Sequence, residues 1–190
     1  YGFYPVFAQI NQIPYEEIPL SDDFTIDIEK FYQAAGTLFI ANPNAPTAIA
    51  LKRDEIEEIL KRNAYNVVVV DEAYVDFGAE SCLPLVKDYD NLLVTRTFSK
   101  SRSLAGARLG VGIAQPELIA DLNAVRNSTN PYNVNRLTAA AGIACLKHDD
   151  YNMENCRKII ETRTWSEQAL KDLGFEMTTS RTNFLFARHP

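Results

Sequence analysis

Four short segments of this 190-residue chain carry side chains able to do chemistry together. Asp71 and Tyr74 lie in Val70-Asp71-Glu72-Ala73-Tyr74, directly after a run of valines. Thr97, Ser99 and Lys100 lie in Arg96-Thr97-Phe98-Ser99-Lys100, and Arg108 follows in Leu104-Ala105-Gly106-Ala107-Arg108. Asn44 stands in Asn42-Pro43-Asn44-Ala45-Pro46. A carboxylate after four valines is poorly solvated and wants a cation or a hydrogen-bond donor, such as a protonated ring nitrogen. A phenol three residues on can reach the same ligand. A lysine in a cleft can lose its proton and form a Schiff base with a carbonyl. Two hydroxyls and a guanidinium suit a phosphate.

Each of these residues also has a plain reading. A lysine is usually a solvated surface charge, a buried carboxylate pairs with an arginine or a helix N-terminus, and a tyrosine packs in a core. The set is more specific than its members. An acid for a ring nitrogen, a phenol, a carbonyl-capturing lysine and a phosphate-binding arginine together describe a site for pyridoxal phosphate. No Walker-type loop is present, and Gly106, Gly110 and Gly112 do not make a dinucleotide fingerprint.

Such residues need elements to hold them. Thr37–Ala41 is a short apolar run closed by a proline-rich turn, which predicts a buried strand. Asn66–Asp71 predicts a second strand, and its valines favour a central parallel position, buried on both faces. Asn91–Thr95 repeats the pattern, and Leu109–Ala114 reads as a further strand. Helices are expected over Asp54–Arg62, over Pro116–Val125 and over the Ala-rich Val134–Leu146, the last buried on more than one side. A long amphipathic helix is expected over Tyr151–Leu173, with Ile159, Ile160, Trp165, Leu170 and Leu173 near one stripe. Gly174–Met177 and Asn183–Ala187 read as two closing strands. Strand and helix alternate through residues 37–125, the signature of an α/β doubly wound sheet whose ligands sit at the carboxyl ends of its strands. Tyr1–Pro5 reads as the middle of a turn and Asn183–Arg188 as a strand just begun, so a piece of a longer chain is expected.

With 19 Lys+Arg against 25 Asp+Glu, the net charge is −6, which argues against nucleic acid or an anionic membrane as partner. Hydrophobic residues at 46% and charged residues at 23% exclude a disordered tail and a coiled coil. Cys82, Cys145 and Cys156 are widely spaced, and His148 and His189 are the only histidines. They supply no zinc-site spacing and no disulfide framework, so no metal is expected and a reducing, cytoplasmic setting fits. No apolar run approaches the length of a membrane span.

The four segments resemble, in order and spacing, the fold-type I pyridoxal phosphate aminotransferases. Within them the likeness is greatest to histidinol-phosphate aminotransferases, through Tyr1-Gly2-Phe3-Tyr4, Phe77, Pro131-Tyr132-Asn133-Val134-Asn135 and Thr182-Asn183-Phe184. The resemblance implies a three-layer α/β/α large domain over residues 1–150 and, over 151–190, an interdomain helix with the start of a small α+β domain. It implies Lys100 as the Schiff-base and proton-carrying residue, Asp71 on the pyridinium nitrogen and Tyr74 on the phenolate oxygen. Thr97, Ser99 and Arg108 would take the cofactor phosphate, Tyr1 would stack on the ring, and Asn44 would line it. Arg188 falls near a substrate-phosphate contact. The implied reaction carries an amino group between L-histidinol phosphate and 2-oxoglutarate in a homodimer; a threonine-phosphate decarboxylase, an aromatic aminotransferase and an aminotransferase-like sensor domain of a transcription regulator share the motifs. Two positions depart from the family's Asn-Pro-Asn-Asn-Pro-Thr-Gly. Ala45 replaces an Asn that donates to the phenolate oxygen, and Ala48 replaces the Gly.

Overall fold

The computed structural model describes residues 1–189. Four strands form one sheet in the order β1-β2-β3-β4: β1 Leu38–Ala41, β2 Val68–Asp71, β3 Leu92–Thr97 and β4 Gly110–Ile113. β1, β2 and β3 run parallel, with Ala41 beside Asp71 and Asp71 beside Thr95. β4 turns back antiparallel, pairing Gly110 with Thr97. The chain is thus α/β with a mostly parallel sheet. Its parallel strands end at one edge, which brings Asn42, Asp71 and Thr97 to the same side.

Alternate residues face opposite ways along each strand. Leu38, Ile40, Val68, Val70, Leu92 and Val94 enter the main core. There they meet Ile56, Ile59 and Leu60 of α2 (Arg53–Arg62), each at most 1% exposed. Burying such a side chain is worth roughly 1.5–3 kcal/mol, so this stripe alone is enough to fix α2 on the sheet. The N-terminus of α2 is held by Glu55, whose carboxylate accepts from the Lys52 N–H at 2.7 Å. The other face presents Phe39, Val69 and Leu93, and Tyr4 of α1 (Phe3–Ile10) packs on Phe39 with ring centroids 5.5 Å apart.

Three helices follow β4: α3 Pro116–Thr129, α4 Arg136–Lys147 and α5 Asp149–Asp172. Asn135 caps α4 by accepting from Thr138 N–H at 2.9 Å. Gly142 lets α4 approach Leu109, whose methyl carbon lies 2.5 Å from where a Cβ would stand. Beyond α5, β5 (Glu176–Met177) and β6 (Ala187–Arg188) form a small antiparallel pair. Among the described residues no helix is long and apolar enough to cross a membrane.

Several expectations are corrected. Tyr1–Pro5 is not mid-turn: α1 starts at Phe3, and Pro5 sits in its first turn, where a missing N–H costs nothing. α4 is not buried on several sides; Thr138 and Gly142 are its buried residues, while Leu137, Ile143 and Leu146 are exposed. α5 does not bury the apolar stripe. Trp165 is 71% and Leu173 68% exposed, and the helix instead buries Asn152, Cys156 and Arg163. Asn183–Leu185 lies outside the strand expected there, which is confined to Ala187–Arg188.

Candidate active site

The first site loop follows β1. Asn42 is 1% exposed and spans the loop's neck, its Oδ1 accepting from Leu51 N–H at 2.8 Å and its Nδ2 donating to the Leu51 carbonyl at 3.1 Å. Within that ring Asn44 Nδ2 donates to the Thr47 hydroxyl at 2.7 Å. Ala48 adopts φ +64° and is fully buried, so an alanine here holds a left-handed backbone that favours glycine.

Asp71 ends β2. Its Oδ1 accepts from Ala73 N–H at 3.1 Å, and its Oδ2 accepts from the Tyr4 hydroxyl at 2.7 Å. The sequence reading missed Tyr4. The signal was there: Tyr4 follows three residues after Tyr1, which just precedes α1, and their rings meet edge to face at 5.5 Å. Burial, and then the charge of Asp71, hold the Tyr4 phenol far above the ordinary tyrosine range. Tyr4 is thereby kept a donor to Asp71 beyond the pH at which an ordinary tyrosine ionises.

The next residue, Glu72, points the other way, into protein. Its side chain is fully buried and accepts from Arg96 Nε at 3.0 Å, Arg96 NH2 at 2.8 Å, the Ser81 hydroxyl at 2.9 Å and the Cys82 N–H. Glu72 and Arg96 thus brace the ends of β2 and β3 from behind, while Asp71 and Thr97 face the other way. Burial, reinforced by the Glu72 charge, pushes the Cys82 thiol up to about 12.

Tyr74 stands edge-on to Phe184 at 5.2 Å, and Lys100 Nζ lies 5.2 Å from the centre of the Tyr74 ring. Lys100 itself is exposed, and among the described residues no carboxylate pairs with it. Its backbone is pinned on both sides. Ser99 N–H donates to the Thr97 hydroxyl at 3.1 Å, Ser103 N–H to the Lys100 carbonyl at 3.1 Å, and Leu104 N–H to the Phe98 carbonyl at 2.9 Å. The hairpin pairing then returns the chain, with Phe98 N–H donating to the Leu109 carbonyl at 3.0 Å, so Arg108 comes back beside the lysine turn. Arg108 has φ +51°, and its NH1 donates to Ala105 O at 2.9 Å, leaving most of an exposed guanidinium fork for a ligand. Thr138 of α4 supports this return by donating to the Ala107 carbonyl at 3.1 Å.

The topology therefore gathers Asn44, Asp71, Tyr74, Thr97, Ser99, Lys100 and Arg108 at one sheet edge, with Tyr1 just ahead of α1, the helix whose Tyr4 reaches Asp71. Arg188 is placed elsewhere: it lies on β6 and grips Glu176 of β5 through Nε at 2.8 Å and NH2 at 2.7 Å. The C-terminal segment is tied to the first loop, since Thr178 donates to the Thr47 carbonyl at 2.5 Å and Arg181 N–H to the Ala48 carbonyl at 2.8 Å. Arg163 of α5 adds a buried strut, donating to the carbonyls of Phe77 at 2.8 Å and Thr182 at 2.6 Å. Sequence reading passed over it, because an arginine among helical charges reads as solvated.

A parallel sheet with a lysine, an aspartate and an arginine at its carboxyl edge defines a class, and residues 1–190 match the family model of aminotransferases of class I and II. The chain belongs to that family. It is 48% identical over 190 residues to a histidinol-phosphate aminotransferase of Lactococcus lactis subsp. cremoris, covering all of this chain and 53% of that protein. It is 50% identical to one of Acinetobacter baylyi, again covering 53% of that protein. The crystal structure of histidinol-phosphate aminotransferase from Sinorhizobium meliloti, in complex with pyridoxal-5'-phosphate, superposes with a TM-score of 0.87 at 26% identity. That match covers 98% of this chain and 52% of that one. The chain spans about half the length of the curated relatives it matches.

Proposed function

We propose that this chain is the cofactor-binding part of a pyridoxal phosphate-dependent aminotransferase that interconverts L-histidinol phosphate plus 2-oxoglutarate with imidazole-acetol phosphate plus L-glutamate. The observation that carries the reading is Lys100 Nζ, without a carboxylate partner among the described residues, over the Tyr74 ring at the edge where Asp71 ends β2. The donor set fits the cofactor in kind. Asp71 offers a half-buried anion for a ring cation, Thr97, Ser99 and Arg108 offer hydroxyls and an open guanidinium for a phosphate, and Tyr1 offers an exposed aromatic face. The substrate assignment is supported by the 48% and 50% identities to histidinol-phosphate aminotransferases.

When bound, pyridoxal phosphate supplies a carbonyl carbon that can take up an amino group and a protonated ring that can accept electrons. Lys100 Nζ would be the amine that holds the cofactor through that carbon, and, when free, it would move the proton at the substrate Cα, acting as base and then acid in turn. Asp71 would hold the ring nitrogen protonated, with Tyr4 fixing the carboxylate's second oxygen. Tyr74 would donate to the phenolate oxygen, and Asn44 would line the same side. Arg188, in contacting a substrate phosphate, would exchange Glu176 for it. Residues 1–150 would form the large domain and 151–190 would begin the small one. The complete enzyme would act as a cytoplasmic homodimer.

The test uses the full-length protein. Borohydride reduction followed by peptide mapping should place the cofactor on Lys100, and Lys100→Ala should abolish both the label and nearly all transamination. A cofactor on Lys52 or Lys87 overturns the assignment. Turnover should be fastest with L-histidinol phosphate; preference for threonine phosphate or an aromatic amino acid overturns the substrate.

A further inference from the structure

The stretch after the lysine, Ser101-Arg102-Ser103, is polar where it turns into protein. Ser101 is 9% exposed and the Arg102 side chain 10%. Both are directed at one carboxylate. The Ser101 hydroxyl donates to Asp76 Oδ2 at 2.6 Å, and Arg102 NH1 donates to the same oxygen at 2.9 Å. The other oxygen, Oδ1, faces Arg96 NH1 at 3.6 Å. Arg102 NH2 continues to Asp149 Oδ1, at the N-terminus of α5, at 2.7 Å.

Asp76 stands in the helical turn Val75–Phe77 that immediately follows Tyr74. One half-buried carboxylate, its side chain 17% exposed, is therefore shared by the residue beside Thr97, the two residues after Lys100 and the turn after Tyr74. A lysine that must reach first a carbonyl carbon and then two different carbons with its proton needs a mobile tip on a fixed root. Its side chain supplies the mobility. The backbone bonds at Ser99, Ser103 and Leu104 fix the root within its own loop, but none of them fixes that loop against Tyr74. The contacts of Asp76 do so. Charged hydrogen bonds of this length in a site mostly shut off from water hold geometry tightly.

We propose that Asp76 is a positioning residue for Lys100, acting through Ser101 and Arg102 to set the lysine's reach relative to Tyr74, and that Arg102 extends this clamp to α5 through Asp149. This rests on the assignment of Lys100 as the cofactor-linking residue. A displacement of about 1 Å in a reacting group can cost about a hundredfold in rate. A loosened but folded clamp is thus expected to lower kcat by about tenfold, with KM changing less than twofold.

The experiment uses full-length enzyme loaded with pyridoxal phosphate, as wild type, Ser101→Ala, Asp76→Asn, Asp76→Ala and Arg102→Gln. Four quantities are read: kcat and KM separately, the cofactor dissociation constant, the pH midpoint of the visible absorbance band, and the thermal midpoint. Support consists of a graded fall in kcat, smallest for Ser101→Ala and largest for Asp76→Ala, with a shifted band midpoint and little change in KM. Asp76→Asn should recover part of the loss, since its amide oxygen still accepts from Ser101. Lower thermal midpoints with kcat and band midpoint unchanged would show Asp76 to be structural only, and overturn the proposal. Should Asp76→Ala not fold, Ser101→Ala and Arg102→Gln decide by the same readouts. Borohydride labelling of the wild type separates the two levels. Label on Lys100 with indifferent variants refutes the clamp alone, whereas label elsewhere refutes the site assignment and the clamp with it.

Discussion

Two ion pairs in this chain have nearly the same geometry and should differ severalfold in worth. Arg96 meets Glu72 at 2.8 Å with side chains 23% and 0% exposed. Arg188 meets Glu176 at 2.7 Å with side chains 76% and 58% exposed. Changing Glu72 to Gln keeps the volume but removes the charge. It also turns an amide NH2 toward a pocket already filled with donors from Arg96, Ser81 and Cys82. Breaking one partner of a buried pair costs about 3–5 kcal/mol, because the survivor stays desolvated. Against a typical total stability of about 5–15 kcal/mol this is a large share. At about 2–4 °C per kcal/mol for a chain of this size, the melting point should fall by roughly 6–20 °C. Glu176→Gln should cost about 0–1 kcal/mol, since water and salt already screen that pair. The assay is urea unfolding of the full-length protein at low and high salt. The Glu72 effect should survive added salt, and the small Glu176 effect should vanish. Equal costs for the two variants, each under about 1 kcal/mol, would refute the premise that burial decides, and would mean that water reaches Glu72.

Tyr4→Phe should destabilise the docking of α1 by about 1.5–3 kcal/mol, the worth of a hydrogen bond to a charged group, as read by denaturant midpoint. Because the Tyr4 phenol is raised in the folded state, its contribution is complete below the ordinary tyrosine value of about 10 and is lost as pH climbs above it. Melting points between pH 9 and 12 should therefore fall more steeply for wild type than for Tyr4→Phe. Cys82, fully buried with its thiol pushed up to about 12, should resist a thiol reagent at pH 8 in the native protein, and labelling should begin at Cys145. Ala45→Asn should lower the pH midpoint of the visible band of the loaded enzyme, because a donor restored at the phenolate oxygen makes that oxygen less basic. Asn44 Nδ2 gives one of its two hydrogens to Thr47 at 2.7 Å; an unmoved midpoint would show that its other hydrogen, or Tyr74, already supplies that donor, and would refute the expectation.

The apolar runs that became β1, β2 and β3 were plain in the sequence, since a strand buried on both faces must be continuous in Val, Leu and Ile. The candidate site residues that follow them were equally plain, because polar groups directly after such runs need a reason. Other features turned on partners far along the chain. Ser101 and Arg102 looked unexplained until Asp76 and Asp149 were brought to them. Glu72 and Asp71 are adjacent in sequence yet face opposite ways, one into a buried arginine and the other toward Tyr4, and only the pleat separates their roles. Gly2 and Pro5 read as turn residues, although both are tolerated at a helix start. The stripe assigned to α5 failed because apolar spacing marks a face without saying what covers it, and here the buried contact is made by Arg163 reaching two carbonyls.

The antiparallel return of β4 has a consequence for how the Lys100 turn tolerates change. Thr97 and Gly110 are paired, so residues 98–109 form a closed ring whose ends are held by the sheet. The conformational entropy of closing that ring is surrendered when the chain folds, before any ligand arrives. A doubling of its length would add only about 0.6 kcal/mol to that loss. Length is therefore a weak constraint on the part of this segment beyond Leu104, and an inserted residue at exposed Gly106 is thermodynamically cheap. Between Thr97 and Arg102 every residue is tied to a neighbour by a backbone or side-chain bond, and there an insertion breaks registry outright. The ring thus divides into an arc that evolution can lengthen and an arc that it cannot, with the lysine in the second.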